Sequence, residues 1–411
     1  MKFHFQCTNC GKEYGQFDVQ YLCPVCEAEN SPSLPPKGVL KTIYDFKSLK
    51  NSNLKYSQFK ANRFVDLLPI NSAESLPYLK VGDTPFYRID KLNGHTLPFT
   101  LFLKDDSQNP TFSFKDRASA VVSAYAKENG LNTIVAASTG NAGSSLAGIC
   151  AAQRQKAIIM VPQKAPAAKL TQIVMYGATI IPVKGTYDDA FDLSILATKE
   201  FGWYNRNTAF NPFTIEGKKT VSFELFEQMG FEIPDRVFVP VGDGVIISGV
   251  YKGFEDLLNL GWIRKMPTIV AVQSEGSQNL VNNLHSTYFK IEPSSTIADS
   301  ISVDIPRNFY MAKQFMEMYQ GESVIVSDEE IITASGMLSR NTGIFAEPAA
   351  ATAFAGMLKY NEQLKFAKGS KNVVLLTGSG LKDLKGVASI VKIPEAIDPN
   401  IKEIRTQITQ I

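Results

Sequence analysis

The 411-residue chain contains little of several residue types that particular mechanisms require. Only three histidines are present, His4, His95 and His285, and none of them lies within a recognisable motif. Catalysis through a Ser-His pair or through a histidine-bound metal therefore has no support. The net charge is only +2, which gives no strong field toward nucleic acid or an anionic membrane, so neither is expected as a partner.

Long apolar runs are also absent. No run reaches the roughly 18–20 residues that a membrane-spanning helix needs, and the N-terminus lacks the charged region and apolar stretch of a signal peptide. We therefore expect a cytoplasmic protein without a membrane partner, in a compartment where thiols stay reduced. Hydrophobic residues make up 44% of the chain, enough to bury a sizeable interior. The length predicts two or three domains.

Cysteine is scarce, but four of the five cysteines form two pairs with the spacing of a metal site. Cys7 and Cys10, and then Cys23 and Cys26, are each separated by two residues, and twelve residues lie between the pairs. Four thiolates suit tetrahedral zinc, whereas two disulfides, the alternative, are disfavoured in a reducing compartment. The pattern predicts a structural zinc ribbon. We expect Cys150 to be a small buried residue.

The ribbon segment carries too little charge to bind nucleic acid. Residues 1–31 contain two lysines and no arginine, and a phosphate-binding surface requires several cations. A proline- and serine-rich linker around Ser31 to Pro36 separates this segment from the rest of the chain.

Farther along, short apolar runs alternate with helix-compatible stretches. This alternation predicts an α/β fold with parallel or mixed sheets that helices cover on both faces. The predicted strands are Thr133–Ser138, Ala157–Val161, Thr179–Val183, Val237–Val241, Thr268–Val272 and Val373–Leu376.

A lysine stands where a loop enters a helix. The segment Asn109–Arg117 begins with a turn-forming Asn-Pro pair and precedes a helix-compatible run. A lysine that forms a covalent bond with a carbonyl group needs a lowered pKa. Phe112 and Phe114 supply apolar walls, and the helix N-terminus supplies positive potential. Lys115 is therefore a candidate catalytic residue, and the alternative is a solvated lysine at a helix start.

Three loops have the composition of anion sites at helix N-termini. Ser138–Asn141, Gly242–Ile246 and Thr377–Gly380 each follow a predicted strand. Backbone N–H groups at such joints bind carboxylates and phosphates. One joint alone is weak evidence because α/β proteins contain many of them. Three joints and the lysine turn in one chain favour an enzyme site.

Together these segments resemble the tryptophan-synthase-β (fold type II) pyridoxal-phosphate family, most closely its threonine-synthase branch. They occur in the family's order from about residue 80 to 385. The matching segments are GDTP (Gly82–Pro85), NPTFSFKDR (Asn109–Arg117), STGN (Ser138–Asn141), NPFTIEGKKT (Asn211–Thr220), VPVGDG (Val239–Gly244), QSEG (Gln273–Gly276), GIFAEPAAA (Gly343–Ala351) and TGSGLKD (Thr377–Asp383).

The resemblance implies a two-domain α/β enzyme behind the zinc ribbon. The expected ranges are 1–36 for the ribbon and linker, 37–125 and 222–411 for a large domain, and 126–221 for a small mobile domain. It also implies pyridoxal 5′-phosphate as cofactor, an amino acid as substrate and, by default, a homodimer.

Site roles also follow from the resemblance. Lys115 would hold the cofactor covalently and move protons, Asn141 would contact the ring hydroxyl, and Thr377 would meet the pyridine nitrogen. Ser138, Thr139 and Gly140, with Asn141, would bind the substrate carboxylate. The cofactor phosphate would lie on the loop of Gly242, Asp243, Gly244, Val245 and Ile246.

The sequence departs from the threonine-synthase pattern around the substrate. Ala142 and Ala209 stand where hydroxyl residues are usual, and Thr214 stands where arginine is usual. Several of the usual residues contact the phosphate of O-phosphohomoserine, and threonine cannot replace a bidentate arginine. Asp243 and Ile246 replace asparagines of the phosphate loop, and Asp243 would repel a dianion.

Three further positions bear on the substrate site. Phe112 replaces a usual glycine and would narrow the pocket. Lys164 and Lys169 are candidates to replace the missing phosphate contacts, the alternative being that both are solvated lysines beside a helix.

These observations predict a lyase that is nominally a threonine synthase. The main alternative is a β-eliminating or β-replacing enzyme, such as an ammonia-lyase or a cysteate-synthase-like enzyme. A non-catalytic relative whose ribbon binds a partner is a third hypothesis, which the presence of Lys115, Asn141 and Thr377 disfavours.

Overall fold

The computed structural model describes residues 2–363, 366–391 and 393–408. Met1 and residues 409–411, the two ends of the predicted domain ranges, lie outside the described residues. The N-terminal unit is a small antiparallel sheet with strand order β2-β1-β3. Its third strand lies beyond residue 36, where the range predicted for the ribbon and linker ends. The elements are β1 (Phe3–Cys7), β2 (Glu13–Gly15), α1 (Pro24–Glu27) and β3 (Leu40–Tyr44).

Two short helices and an antiparallel strand pair lead into the helix that carries the candidate lysine. The pair turns at Asn93 and Gly94, whose φ angles are 49° and 79°, as a two-residue hairpin turn requires. The elements are α2 (Phe46–Asn51), α3 (Tyr56–Ala61), β4 (Phe86–Leu92), β5 (His95–Asp105) and α4 (Lys115–Glu128).

A four-stranded parallel sheet follows, with strand order β8-β7-β6-β9. It lies within residues 126–221, the range expected for the small domain. Its elements are β6 (Thr133–Ala137), α5 (Asn141–Gln153), β7 (Lys156–Pro162), α6 (Ala167–Met175), β8 (Thr179–Val183), α7 (Tyr187–Phe201) and β9 (Tyr204–Asn205).

The rest of the chain supplies most of the larger sheet and its helices. The elements are α8 (Phe213–Lys218), α9 (Thr220–Gln228), β10 (Arg236–Pro240), α10 (Val245–Leu260), β11 (Thr268–Ser274), α11 (Asn279–Asn282), α12 (Phe309–Met318), β12 (Glu322–Val326), α13 (Asp328–Thr342), α14 (Pro348–Glu362), β13 (Lys371–Leu376) and α15 (Ile401–Ile408). Short 3-10 helices lie at Val65–Leu67, Ala73–Ser75, Asp106–Gln108, Asp299–Ile301, Gly380–Lys382 and Lys385–Ile390.

The larger sheet has six strands in the order β12-β11-β10-β13-β5-β4, and only the β4–β5 pair is antiparallel. Alternate residues of its strands enter two different apolar cores. Val237 and Val239 lie in one core, and Phe238 between them lies in the other. Both faces of the sheet are therefore covered, which confirms the predicted α/β fold with parallel and mixed sheets.

The strand order of the larger sheet places two of the candidate loops side by side, because β10 and β13 are neighbours. In parallel sheets the carboxyl ends of the strands lie at one edge, and the loops that follow them form the crevice where ligands bind. Gly242 lies in the loop after β10 and Thr377 in the loop after β13, whereas Asn141 begins the helix that follows β6 of the smaller sheet. Within the described residues, no helix has the length and apolar character needed to cross a membrane.

Candidate active site

Lys115 is the first residue of α4, and the loop after β13 fixes its position. The backbone N–H of Phe114 donates a hydrogen bond to the carbonyl oxygen of Thr377, 2.8 Å away, and Ser113 pairs with Gly378 as a β-bridge. Burial lowers the pKa of Lys115; the charge of Arg206 lowers it further, and that of Asp243 opposes the shift. A lowered pKa makes a neutral, nucleophilic amine available.

Thr377 itself directly follows β13 and is buried. Its carbonyl oxygen accepts the hydrogen bond that orients the start of α4. Thr377 therefore lies at the carboxyl end of β13, beside the start of α4.

The loop after β6 is tightly folded. Ser138, Thr139 and Gly140 are half-buried and Asn141 is buried. A Cβ atom at Gly143 would lie 2.3 Å from the carbonyl oxygen of Ser138, so the turn requires glycine there. The loop leads directly into α5, whose first backbone N–H groups have no partner within the helix and favour an anion.

Asn141 joins the smaller sheet to the larger one. Its amide nitrogen donates hydrogen bonds to both carboxylate oxygens of Glu347, at 2.9 and 3.0 Å. Burial raises the pKa of Glu347, and the hydrogen bond from Asn141 and the charge of Lys115 oppose this. Glu347 thus lies beside both residues at the junction of the two sheets.

The loop after β10 is shaped for a close approach to a ligand. Gly244 has a φ of 81°, and a Cβ atom at Gly242 would lie 2.9 Å from the Cα of Ile301. The loop ends where α10 begins, at Val245, so its free N–H groups and the helix dipole favour an anion. A narrow cavity lies between Lys115 and this loop, Ile246 included.

Asp243 is a negative group in this otherwise anion-binding loop. Its carboxylate accepts a hydrogen bond from the backbone N–H of Arg307 at 3.3 Å. Burial raises the pKa of Asp243, while the charges of Arg307, Lys115 and Lys218 oppose that shift. Its repulsion of a bound phosphate is therefore offset by neighbouring cations.

The residues around Lys115 fit pyridoxal phosphate. A lysine of lowered pKa, a glycine loop at a helix N-terminus and a buried hydroxyl at one sheet edge match the aldehyde, the phosphate and the ring nitrogen of that cofactor. Lys115, the Gly242–Ile246 loop, Asn141 and Thr377 are the residues that would hold it.

The four paired cysteines form a cluster of free thiols. Their sulfur atoms all lie within 4.8 Å of one another, and Cys7–Cys26 and Cys10–Cys23 are both separated by 3.7 Å. A tetrahedral zinc ion with Zn–S bonds of about 2.3 Å would hold its sulfurs about 3.8 Å apart. The donor set and its spacing fit zinc, and leave no open position for substrate. Cys150 is buried outside this cluster.

The lysines considered as replacements for missing phosphate contacts differ in their surroundings. Lys164 is exposed, and Lys169 forms an ion pair with Asp299 at 2.7 Å. Thr214 is buried, and its hydroxyl donates to the carbonyl oxygen of Asn211 at 2.8 Å. Lys169 and Thr214 are thus engaged with other groups, whereas Lys164 extends into solvent.

Sequence reasoning missed three cations near the site. Arg206 and Lys218 are almost completely buried, and Lys382 donates to Ser144 at 2.7 Å and to Gln172 at 2.6 Å. Lys382 lies in the TGSGLKD segment, and the match of that segment to the family could have pointed to this lysine. Arg206 lies before the NPFTIEGKKT segment, and nothing in the local sequence marks it as buried.

Comparison with known proteins agrees with this arrangement. The family described as "Pyridoxal-phosphate dependent enzyme" matches residues 78–378. A protein named threonine synthase from Methanocaldococcus jannaschii is 35% identical over 386 residues, which cover 92% of each chain. A threonine synthase from Methanosarcina acetivorans is 33% identical and aligns over 99% of this chain and 98% of its own.

Solved structures share the fold. A threonine deaminase isoform from Solanum lycopersicum superposes with a TM-score of 0.67 at 21% identity, covering 81% of this chain and 87% of its own. Maize serine racemase gives a TM-score of 0.61 at 22% identity, covering 81% and 93%. At this level of identity the likeness extends to the fold alone.

Proposed function

The chain belongs to the pyridoxal-phosphate-dependent enzyme family, and on that premise we propose that it is a lyase that acts as a threonine synthase, converting O-phosphohomoserine and water into threonine and phosphate. The observation that carries this proposal is similarity over nearly the whole chain to proteins named threonine synthase, including the ribbon. The complete set of Lys115, Asn141 and Thr377 around one crevice supports an active enzyme rather than a non-catalytic relative.

The cofactor, when bound, supplies an electron-withdrawing ring that acidifies the substrate's α-carbon. We propose that the amine of Lys115 takes the α-proton and returns protons later in the reaction, which its lowered pKa favours. Ser138, Thr139, Gly140 and Asn141 hold the substrate carboxylate through the N-terminus of α5. Asn141 is itself oriented by Glu347.

The proposal also gives roles to the loop after β10 and to the small domain. Gly242, Asp243, Gly244, Val245 and Ile246 hold the cofactor phosphate at the start of α10. Residues 126–221 form the mobile domain, which closes on the substrate and limits the access of water to the reacting atoms. Zinc in the cysteine cluster has a structural role.

A second candidate is a β-eliminating or β-replacing lyase on another amino acid. The hydrogen bond that Thr214 makes to Asn211 favours this candidate, because it leaves the position of the usual phosphate-binding arginine without a group for substrate. Loss of a bidentate arginine costs a phosphate ligand its strongest single contact.

Turnover of O-phosphohomoserine by the purified, cofactor-loaded protein tests the proposal, with phosphate and threonine measured separately. We expect equal amounts of the two products, and Lys115→Ala should lower the rate at least about a thousandfold and abolish the yellow colour of the covalently bound cofactor. Phosphate release without threonine would contradict the proposal. No turnover, with spectral changes on adding other amino acids, would favour the second candidate.

A further inference from the structure

Among the residues that the structure describes, six lysine and arginine side chains are nearly inaccessible to solvent, and four of them have carboxylate partners. Arg117 binds Asp106 and Glu224, and Lys104 also binds Glu224. Lys219 and Lys252 share Asp256. These four follow the general pattern that a buried charge is paired with an opposite one.

Arg206 does not follow that pattern. It is 1% exposed, and its Nε donates one hydrogen bond, to the hydroxyl of Ser119 at 3.2 Å. One terminal nitrogen, Nη2, has no hydrogen-bond partner, and no carboxylate in the described part of the chain forms an ion pair with it. A buried guanidinium carries five donors, so this one is left with an unused donor, and the nearby carboxylate of Asp116 offsets its charge without an ion pair.

Lys218 is the second exception. It is also 1% exposed, and its amine reaches only the hydroxyl of Thr208, at 3.4 Å. As far as the structure describes the chain, it has no carboxylate partner. Burial and the charges of Lys115 and Arg206 lower its pKa, and only Asp243 opposes them.

Both cations surround the first turn of α4. Ser119, the partner of Arg206, is four residues after Lys115 and therefore on the same face of the helix. Lys218 adjoins Gly217, where a Cβ atom would lie 2.1 Å from the carbonyl oxygen of Arg117. Thr208, the partner of Lys218, lines the same cavity as Lys115 and the phosphate loop. Two buried basic side chains that lack carboxylate ion-pair partners thus lie near the reactive lysine.

We propose that Arg206 and Lys218 form a buried oxyanion site that binds the phosphoryl group of the substrate. They supply the positive charge that Thr214, at the usual arginine position, does not supply. The identity of the substrate rests on the proposed function, whereas the presence of an oxyanion site does not. The phosphate group of the cofactor is the other ligand that such a site could bind. However, the Gly242–Ile246 loop and the N-terminus of α10 already offer that group a binding site.

Two titrations distinguish the phosphoryl group of the substrate from the phosphate of the cofactor as the ligand of this site. The first measures the affinity of the cofactor-depleted protein for pyridoxal phosphate, and the second measures the affinity of the cofactor-loaded protein for inorganic phosphate by calorimetry. The proteins are the natural chain, Arg206→Gln, Lys218→Gln and the control Lys184→Gln, which removes a positive charge from an exposed position just after β8.

We expect Arg206→Gln and Lys218→Gln each to weaken inorganic phosphate binding by about tenfold or more, because charge-assisted hydrogen bonds are lost. Their affinity for the cofactor should stay within about twofold of the natural chain, and the control should change neither affinity. If only the affinity for the cofactor falls, the site does not bind the substrate's phosphoryl group. The two side chains would then bind the cofactor phosphate instead. No change in either titration would overturn the oxyanion site itself.

Thermal melting shows whether the variants fold. Removing an unpaired buried charge relieves a desolvation cost, so without added phosphate both variants should melt at or above the temperature of the natural chain. Added phosphate should raise the melting temperature of the natural chain and the control, but not of the variants. Binding of phosphate without turnover of O-phosphohomoserine would leave this site standing while the threonine-synthase proposal fails.

Discussion

Phe112 occupies a backbone conformation that costs free energy for any residue except glycine. Its φ is 68°, in the left-handed region, which costs a non-glycine residue about 1–2 kcal/mol. The side chain is half-exposed, so burial recovers little of this cost. The glycine usual at this position in the resembling enzymes would adopt the conformation freely. Phe112 is three residues before Lys115, so the strain lies close to the candidate site.

Replacing Phe112 with glycine and with valine separates backbone strain from the effect of the ring. We expect Phe112→Val to be less stable than Phe112→Gly by about 1 kcal/mol or more, because a β-branched residue tolerates positive φ poorly. Urea denaturation measures the difference. If the ring narrows the pocket, Phe112→Gly should also change KM more than kcat. Equal stability of the two variants would contradict the strain argument.

At the scale of single residues, candidate site residues within recognisable motifs could be predicted from the sequence. Residues whose role depends on contacts with distant parts of the chain could not. Lys115, Asn141 and Thr377 belong to segments whose order is recognisable, and the structure brings their loops to one crevice. Arg206 and Lys218 could not be found because lysine and arginine are usually exposed. Only the folded chain reveals that both are buried and lack carboxylate ion-pair partners.

At the scale of elements, the site depends on how closely α8 packs against α4. Gly217 makes this approach possible, since a Cβ atom there would lie 2.1 Å from the carbonyl oxygen of Arg117 and 2.7 Å from the Cα of Ala118. The neighbours are backbone atoms, which cannot move aside without shifting α4. The first turn of α4 carries Lys115, so the helix contact and the position of the lysine are coupled.

Gly217→Ala should therefore destabilise the protein by about 1–3 kcal/mol and weaken cofactor binding. Gly336→Ala, inside α13, is the matched control, because its Cβ atom would meet only side-chain atoms at 3.3 Å or more. That substitution should stabilise the protein by about 0.5–1 kcal/mol, the usual difference between the two residues in a helix. Chemical denaturation and cofactor titration check both variants. Equal effects would rule out the close contact as the cause.

The sequence predicted elements well where apolar runs are long and poorly where local signals conflict. The six predicted strands correspond to β6, β7, β8, β10, β11 and β13, with ends shifted by at most two residues. The hairpin of β4 and β5 was missed, although its Asn93-Gly94 turn is a strong signal. The short helices α2 and α3 depend on tertiary packing of residues such as Phe59, which no local pattern announces.

At the scale of the whole molecule, the ribbon is part of the catalytic body rather than an appendage. Phe3 and Phe5 on β1 contact Phe213 of α8, with ring centroids 5.8 and 5.7 Å apart. Tyr44 on β3 donates a hydrogen bond to Glu216 of the same helix at 2.7 Å. Because α8 also carries Lys218, a ribbon that is not folded should disturb the proposed oxyanion site.

Metal removal tests this coupling. We expect one zinc ion per chain by native mass spectrometry, and Cys10→Ser should lose it, because three thiolates leave the tetrahedral site incomplete. The loss should lower the melting temperature and also weaken cofactor binding, since the sheet that packs on α8 is no longer held by the metal. Cys150→Ser, at a buried cysteine outside the cluster, should keep its zinc. Full cofactor affinity in a zinc-free Cys10→Ser protein would show that the ribbon folds and functions independently of the catalytic site.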